Sequence, residues 1–155
     1  MKIETLGKIA IVALLCVMMT GVASAVINVD LGSGTFELVP ANNASASYDV
    51  AYRTDLGALE IASIIEGFDY AVSDMWYQNY SSFYLLEIDG ITDDYMNSKA
   101  WFIYINDDLA SYGLGLNTVQ NNDMVKFMYC PYNTTTWLPY EDQAEENIQI
   151  KVRFV

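Results

Sequence analysis

The C-terminal segment alternates between apolar and polar side chains, and this alternation is the feature that most restricts the fold. Ile148, Ile150, Val152 and Phe154 share one side of an extended chain, and polar residues occupy the positions between them. A period of two is typical of a β-strand with one buried and one solvated face. The sheet that contains this strand therefore needs a second layer to cover its apolar face.

Residues 54–67 carry the pattern of an α-helix that would supply this second layer. Thr54 is a suitable N-cap, and Asp55 stands in the first turn, where a carboxylate interacts favourably with the helix dipole. Apolar residues dominate positions 56 to 65, and Gly67 can end the helix in the left-handed conformation. The pattern predicts one helix that is buried on most of its circumference.

Further extended runs are rich in apolar and β-branched residues, and turn signals at Gly32–Gly34, Asp89–Gly90 and Asn106–Asp108 separate several of them. The first of these turns predicts a hairpin between its two flanking strands. Together the elements predict a single α+β domain over residues 26–155, with a mixed sheet packed on one main α-helix. The predicted strands are Ile27–Leu31, Thr35–Val39, Ser47–Arg53, Tyr70–Ser73, Tyr84–Ile88, Trp101–Ile105, Met124–Tyr129 and Ile148–Phe154.

The first 25 residues have the organisation of a secretory signal peptide. Lys2 and Lys8 form a basic start, an uncharged apolar run follows, and Ala23–Ala25 is a small-residue cleavage site. We therefore predict that residues 1–25 are removed and that the protein is secreted or displayed on the cell surface. The alternative is a retained anchor, in which case only this segment would contact a membrane.

Charge and composition exclude several kinds of chemistry. Residues 26–155 hold 19 acids and 5 bases, a net charge of -14, so we expect no nucleic-acid partner. The sequence contains no histidine, which excludes Ser-His and Cys-His nucleophile pairs and histidine-ligated metals. Cys130 is the one cysteine after the signal segment, so it cannot close an intrachain disulfide, and we expect a buried apolar role for it.

Four segments in order resemble the C-terminal domain of the vitamin B12 carriers, the transcobalamin and intrinsic factor family. They are Tyr84–Ile91, Trp101–Asn106, Ser111–Gly115 and Asn122–Tyr129. Residues 54–59 also resemble the helix start of free-standing microbial versions of that domain. The resemblance spans roughly residues 50 to 130 and implies a β-grasp-like fold of the type that binds soluble ligands.

The same resemblance implies a site. In the carriers, the segment that matches Ser111, Tyr112, Gly113, Leu114 and Gly115 faces the ligand, so these residues are candidate ligand-binding residues, with cobalamin or another corrinoid as the candidate ligand. Glycines suit that position because a residue without Cβ lets backbone amides approach a bulky ring system. The alternative reading is an ordinary glycine turn between two strands.

This chain departs from the family pattern in two respects. Asp107 and Asn122 occupy positions where the family commonly has glycine, although both residue types tolerate left-handed geometry. The carriers also hold the corrinoid between this domain and a large helical barrel, for which we find no pattern here. The binding partner would therefore be a small molecule alone, or a second envelope protein would complete the site.

A second hypothesis uses aromatic side chains rather than the glycine loop. Trp76, Tyr77 and Trp137 stand in polar-interrupted stretches, and exposed aromatics there would suit a cell-surface domain that contacts a protein or a glycan. Three Asn-x-Ser/Thr sequons would fit a surface glycoprotein, and they lie at Asn43, Asn79 and Asn133.

The sequence shows no arrangement that indicates catalysis. The acids around residues 89–94, 107–108 and 121–123 lack the alternating spacing of a calcium loop, and no pair of carboxylates stands out for glycoside hydrolysis. We expect a solvated acidic surface, no metal site, no required cofactor and no enzyme activity.

Overall fold

The computed structural model describes residues 25–155. The predicted signal peptide, with the exception of Ala25, lies outside the described residues. Within residues 25–155, no helix is both long and apolar enough to cross a bilayer.

The largest sheet has five strands, in the spatial order β1-β10-β9-β7-β8. The first and last strands of the chain, β1 and β10, are parallel neighbours, and the other three pairings are antiparallel. The strands are β1 (Val26–Leu31), β7 (Lys99–Ile105), β8 (Asp108–Leu109), β9 (Met124–Pro131) and β10 (Glu146–Phe154).

Two smaller sheets complete the β structure. β2 pairs with β3 antiparallel, and β5 lies between β4 and β6 in a three-stranded antiparallel sheet. These strands are β2 (Thr35–Leu38), β3 (Tyr48–Ala51), β4 (Tyr70–Ser73), β5 (Tyr84–Ile88) and β6 (Ile91–Thr92).

The predicted hairpin across Gly32–Gly34 is wrong. β1 pairs with β10 and β2 pairs with β3, so this glycine turn carries the chain from one sheet to another. The alternating apolar side chains of β1 find their partners at the far end of the sequence, which is a contact that a local turn signal cannot indicate.

The main helix, α1, spans Asp55–Glu66, as the sequence predicts. The Thr54 side chain accepts a hydrogen bond from the Gly57 N–H, and Gly67 ends the helix with φ of 76°. The helix is less buried than expected, because Ile64 and Ile65 in its last turn are 67% and 53% exposed. A short helix, α2 (Tyr77–Tyr80), and two 3₁₀ turns (Tyr95–Asn97 and Glu141–Gln143) make up the rest of the helical structure of residues 25–155.

Most of the core lies between α1 and one face of the five-stranded sheet. Leu56 and Leu59 of the helix are fully buried, as are Val29, Phe127 and Val152 of the sheet. A smaller cluster on the opposite face contains Tyr104, Met128 and Cys130, with Phe102 packed against it. The predicted apolar role of Cys130 is thus confirmed, and the described residues form an α+β structure with one main helix and a mixed sheet.

Two tight turns have the chemistry that the sequence indicates. Asp89 and Gly90 connect β5 to β6, and Asn106 and Asp107 connect β7 to β8; all four have positive φ angles. Asn122 also has a positive φ, of 74°. Asp107 and Asn122, which stand where the B12 carriers commonly have glycine, therefore adopt left-handed geometry, as expected.

Candidate functional site: an aromatic groove beside strand β7

A groove of about 660 Å³ lies beside β7, and half of the residues that line it are aromatic. Met75, Leu85, Ala100, Ile103, Leu109, Ala110 and Leu114 supply its aliphatic surface. We call this cavity the aromatic groove, after the nine aromatic rings that line it: Trp76, Phe83, Tyr84, Tyr95, Trp101, Phe102, Tyr112, Tyr132 and Trp137.

Four of the five loop residues singled out from the sequence line this groove. Ser111, Tyr112, Gly113 and Leu114 form part of its wall, with Tyr112 67% exposed and Leu114 only 1% exposed. Gly115 is not among the lining residues and lies behind the wall, where Phe83 and Leu56 stand within 3.4 Å of the position of a Cβ atom. The loop is therefore part surface and part core.

The two glycines of this loop are needed for reasons other than close approach to a ligand. A Cβ atom on Gly113 would stand 2.5 Å from the Ser82 Oγ and 2.8 Å from its Cβ. Gly115 has a φ of 89°, a conformation that strains any residue with a side chain. Both glycines thus serve the packing of the loop against the segment that leads into β5.

Asp55 fastens this loop to the start of α1. Its carboxylate is fully buried and accepts hydrogen bonds from the Leu56 and Gly115 N–H groups and from the Asn117 amide, each at 2.8 Å. Burial raises the pKa of Asp55 to about 6, and these hydrogen bonds limit the rise. The sequence placed Asp55 in the first turn of the helix but gave no sign of its contact with residue 115.

The structure separates the three predicted surface aromatics. Trp76 and Trp137 both line the groove, and they are 40% and 63% exposed. Tyr77 is half-buried and packs inward, with its ring centre 4.2 Å from that of Tyr48 and 5.0 Å from that of Phe83. Two of the three aromatics therefore share a surface with the predicted loop.

Trp101 joins the core to the groove. It is only 8% exposed and packs in the core, yet it also belongs to the groove lining. Its indole Nε1 donates a hydrogen bond to the Ile91 carbonyl at 2.8 Å. The sequence contains three tryptophans, and all of them line the aromatic groove.

A chain of polar groups stands at one end of the groove. The Tyr95 hydroxyl donates to the Tyr84 hydroxyl at 2.7 Å, and Tyr84 in turn donates to the Asp93 carboxylate. Burial raises the pKa of Asp93, and burial together with the hydrogen bond to that carboxylate raises the pKa of Tyr84. Sequence reasoning did not select these three residues, although Tyr84 and Asp93 lie within or next to the segment that carries the resemblance.

The remaining candidate residues lie elsewhere. Asn43 is half-buried, and its amide donates to Asp74 at 2.9 Å. Asn79 is exposed on α2, and Asn133 accepts hydrogen bonds from the N–H groups of Thr135 and Thr136. Within residues 25–155, no three or more Asp, Glu, Cys or His side chains come together as a group that could hold a metal ion.

Comparison with known proteins adds one match. Residues 68–130 match the model of a family described as a domain of unknown function (DUF4430). The matched span runs from just before β4 almost to the end of β9, and it includes all the groove residues except Tyr132 and Trp137. No curated protein and no solved structure matches the chain.

Proposed function

We propose that this protein is an exported, non-enzymatic binding module that takes a soluble ligand in the aromatic groove. One observation carries the proposal: the loop selected from the family resemblance lines the same cavity as Trp76 and Trp137. The volume of about 660 Å³ falls within the usual range of small-molecule sites, and such sites are largely apolar with a few polar groups.

We also propose that the domain is of the β-grasp type. Two features support this assignment: the first and last strands are parallel neighbours, and the main helix packs against both of them. The resemblance to the B12 carriers points to the same fold. In that arrangement the groove lies along β7, which is three strands away from β1 in the five-stranded sheet and is followed only by the two-residue β8.

A corrinoid is the first ligand to test, because the resemblance points to it. No charged side chain lines the groove within residues 25–155, so the surface suits an uncharged, flat and partly apolar molecule. The cavity would hold only about 22 water molecules at roughly 30 Å³ each, so an edge of a corrinoid would enter and the remainder would project. A second envelope protein would then cover the projecting part.

The direct experiment is a titration of the purified protein with cyanocobalamin, in which binding is measured by calorimetry and the tryptophan environment by fluorescence. Because all three tryptophans line the groove, a ligand that enters it should change their emission. Tyr112→Ala should weaken binding by about tenfold, because a ring that contacts the ligand is lost. Tyr80→Ala is the matched control, since both tyrosines are 67% exposed and Tyr80 is not in the groove.

The two parts of the proposal fail separately. Absence of measurable binding at millimolar cyanocobalamin, with an intact fold, would exclude the corrinoid. Equal weakening by Tyr112→Ala and Tyr80→Ala would place the ligand outside the aromatic groove.

The second candidate function is a cell-surface domain that contacts a glycan or a protein. The observation that favours it is the exposed Trp137 ring, which stacks on the buried Tyr132 ring with ring centres 5.1 Å apart and planes within 17°. Flat aromatic faces of this kind suit sugar rings. Titration with hexasaccharides of glucose and of N-acetylglucosamine tests the glycan form, and binding that survives Trp137→Ala would count against it.

A further inference from the structure

The aromatic groove runs along the edge of β7 and does not lie on one face of that strand. Four consecutive residues, Ala100 to Ile103, line it. Side chains in a strand alternate between two faces, so a cavity over one face would contact every second residue only. A cavity that contacts four residues in a row must meet the strand from the side.

The hydrogen bonds to β9 determine which backbone groups of β7 point to this side. At the two ends of the pairing, the Asn106 N–H donates to the Met124 carbonyl at 2.8 Å, and the Tyr132 N–H donates to the Ser98 carbonyl at 2.9 Å. The residues on the β7 side of these two bonds, Asn106 and Ser98, are both even-numbered. Because the pairing direction alternates along an antiparallel strand, the odd-numbered residues of β7 direct their N–H and C=O groups away from β9.

Trp101 and Ile103 direct four backbone groups to this side of β7, of which two have a hydrogen-bond partner and two do not. The Trp101 N–H donates to the Asp93 carboxylate at 3.0 Å, and the Ile103 carbonyl accepts from the Ala110 N–H at 2.8 Å. Among the hydrogen bonds of residues 25–155, none engages the Trp101 carbonyl or the Ile103 N–H. One acceptor and one donor, in the register of an antiparallel strand, therefore remain open at this edge.

We propose that the aromatic groove binds a short extended peptide segment of a partner protein, which pairs with β7 through the Trp101 carbonyl and the Ile103 N–H. A peptide in strand conformation offers a carbonyl and, two residues later, an N–H on the same side, which matches these two groups. At about 3.3 Å per residue, roughly three residues fit between the contacts that close the two ends of the edge. This inference rests on the proposed function, because it uses the same groove.

Charge indicates the composition of the peptide. Asp94 lies beside one end of the open edge, and Asp108 lies beside the other, next to the groove residue Leu109. The whole of residues 26–155 carries a net charge of -14. The fitting segment therefore has an apolar centre for the aromatic lining and basic residues on both sides.

The experiment uses a bead library of N-acetylated, C-amidated pentapeptides, screened with the purified protein, and the strongest binder is then studied in solution. Hydrogen exchange measured by NMR should show the Ile103 amide exchanging at least tenfold more slowly with peptide bound. The Phe102 and Tyr104 amides are the internal controls, because they already pair with β9 and should not change.

A second measurement does not depend on a protein variant that has to fold. N-methylation of the one peptide nitrogen that faces the Trp101 carbonyl should weaken binding about tenfold or more, because a hydrogen bond is lost and a methyl group occupies its place. N-methylation of the neighbouring nitrogen, which points away from β7, should leave the affinity within a factor of about two.

The possible results separate this inference from the proposed function. A peptide that binds without slowing Ile103 exchange, and that tolerates both methylations, overturns the pairing with β7 but leaves a binding groove. Failure of every pentapeptide at millimolar concentration, while cyanocobalamin still binds by calorimetry, overturns the peptide and leaves the small-molecule site. Failure of both ligands overturns the peptide pairing and excludes the corrinoid.

Discussion

The Asp55 carboxylate accepts a hydrogen bond from the Gly115 N–H at 2.8 Å, although 60 positions separate the two residues in the chain. The same carboxylate accepts from the Asn117 amide, which also donates to the Tyr112 and Gly113 carbonyls at 3.0 and 3.2 Å. One buried acid at the start of α1 thus holds the Gly115 end of the loop directly and the Tyr112–Gly113 end through Asn117.

This arrangement predicts a pH dependence of stability. Burial raises the pKa of Asp55 from 3.8 to about 6, so between these values the folded protein keeps a proton that the unfolded chain has released. The contribution of Asp55 to the free energy of unfolding should therefore fall by about 3 kcal/mol as the pH rises from about 4 to above 6. Urea unfolding at a series of pH values measures this change.

The comparison that isolates Asp55 is with Asp55→Asn, which cannot titrate. The variant should be less stable at every pH, because its NH₂ group faces the Asn117 donor, but its stability should lack this fall. Asp49→Asn, at an exposed position on β3, is the control and should keep the wild-type dependence. Parallel pH curves for the wild type and Asp55→Asn would refute the prediction.

Gly113→Ala should destabilise the protein through a steric clash. The added Cβ would lie 2.5 Å from the Ser82 Oγ and 2.8 Å from its Cβ, and overpacking of a buried site typically costs about 1–3 kcal/mol. Ser82→Gly removes both atoms, so the double variant should lose less stability than the two single changes together. Urea unfolding of the four proteins gives the coupling energy, and strictly additive losses would show that the two residues do not meet.

Local signals in the sequence predicted local elements well. The Thr54 cap, the Gly67 stop and the alternation of the last strand each depend on neighbours within a few residues, and the structure has α1 and β10 where they indicate. The strands Tyr70–Ser73 and Tyr84–Ile88 have the predicted bounds. These elements are determined by capping, backbone conformation and periodicity, which a single sequence displays.

Long-range pairing was not available from the same signals. The glycine turn after β1 indicated a hairpin, but the partner of β1 is β10, whose apolar positions are equally suitable and far away in sequence. Likewise, no local pattern joins Asp55 to Gly115 or brings Tyr95 to Tyr84. The groove loop came from the resemblance, whereas Tyr84, Asp93 and Tyr95 would have required knowledge of which strands lie side by side.

Trp101→Phe should cost about 1–3 kcal/mol of stability. The change removes the indole Nε1–H that binds the Ile91 carbonyl at 2.8 Å and leaves this carbonyl without that donor at a site where Trp101 is only 8% exposed. Trp76→Phe is the control, because Trp76 is 40% exposed and the change should lie within about 0.5 kcal/mol of wild type. Thermal or urea unfolding measures both. Equal effects of the two substitutions would contradict a structural role for the indole of Trp101.

The backbone at Trp137 allows a test of the groove geometry that is independent of any ligand. Trp137 has a φ of 59°, in the left-handed region, and its ring stacks on Tyr132. Trp137→Gly and Trp137→Ala both remove this stack, but only glycine adopts a positive φ without strain. The glycine variant should therefore be more stable than the alanine variant by about 1 kcal/mol, measured by urea unfolding. Glycine normally lowers the free energy of unfolding relative to alanine, because it gives the unfolded chain more conformational freedom. An alanine variant of equal or greater stability would therefore show that residue 137 does not adopt the left-handed conformation that places its ring over the groove.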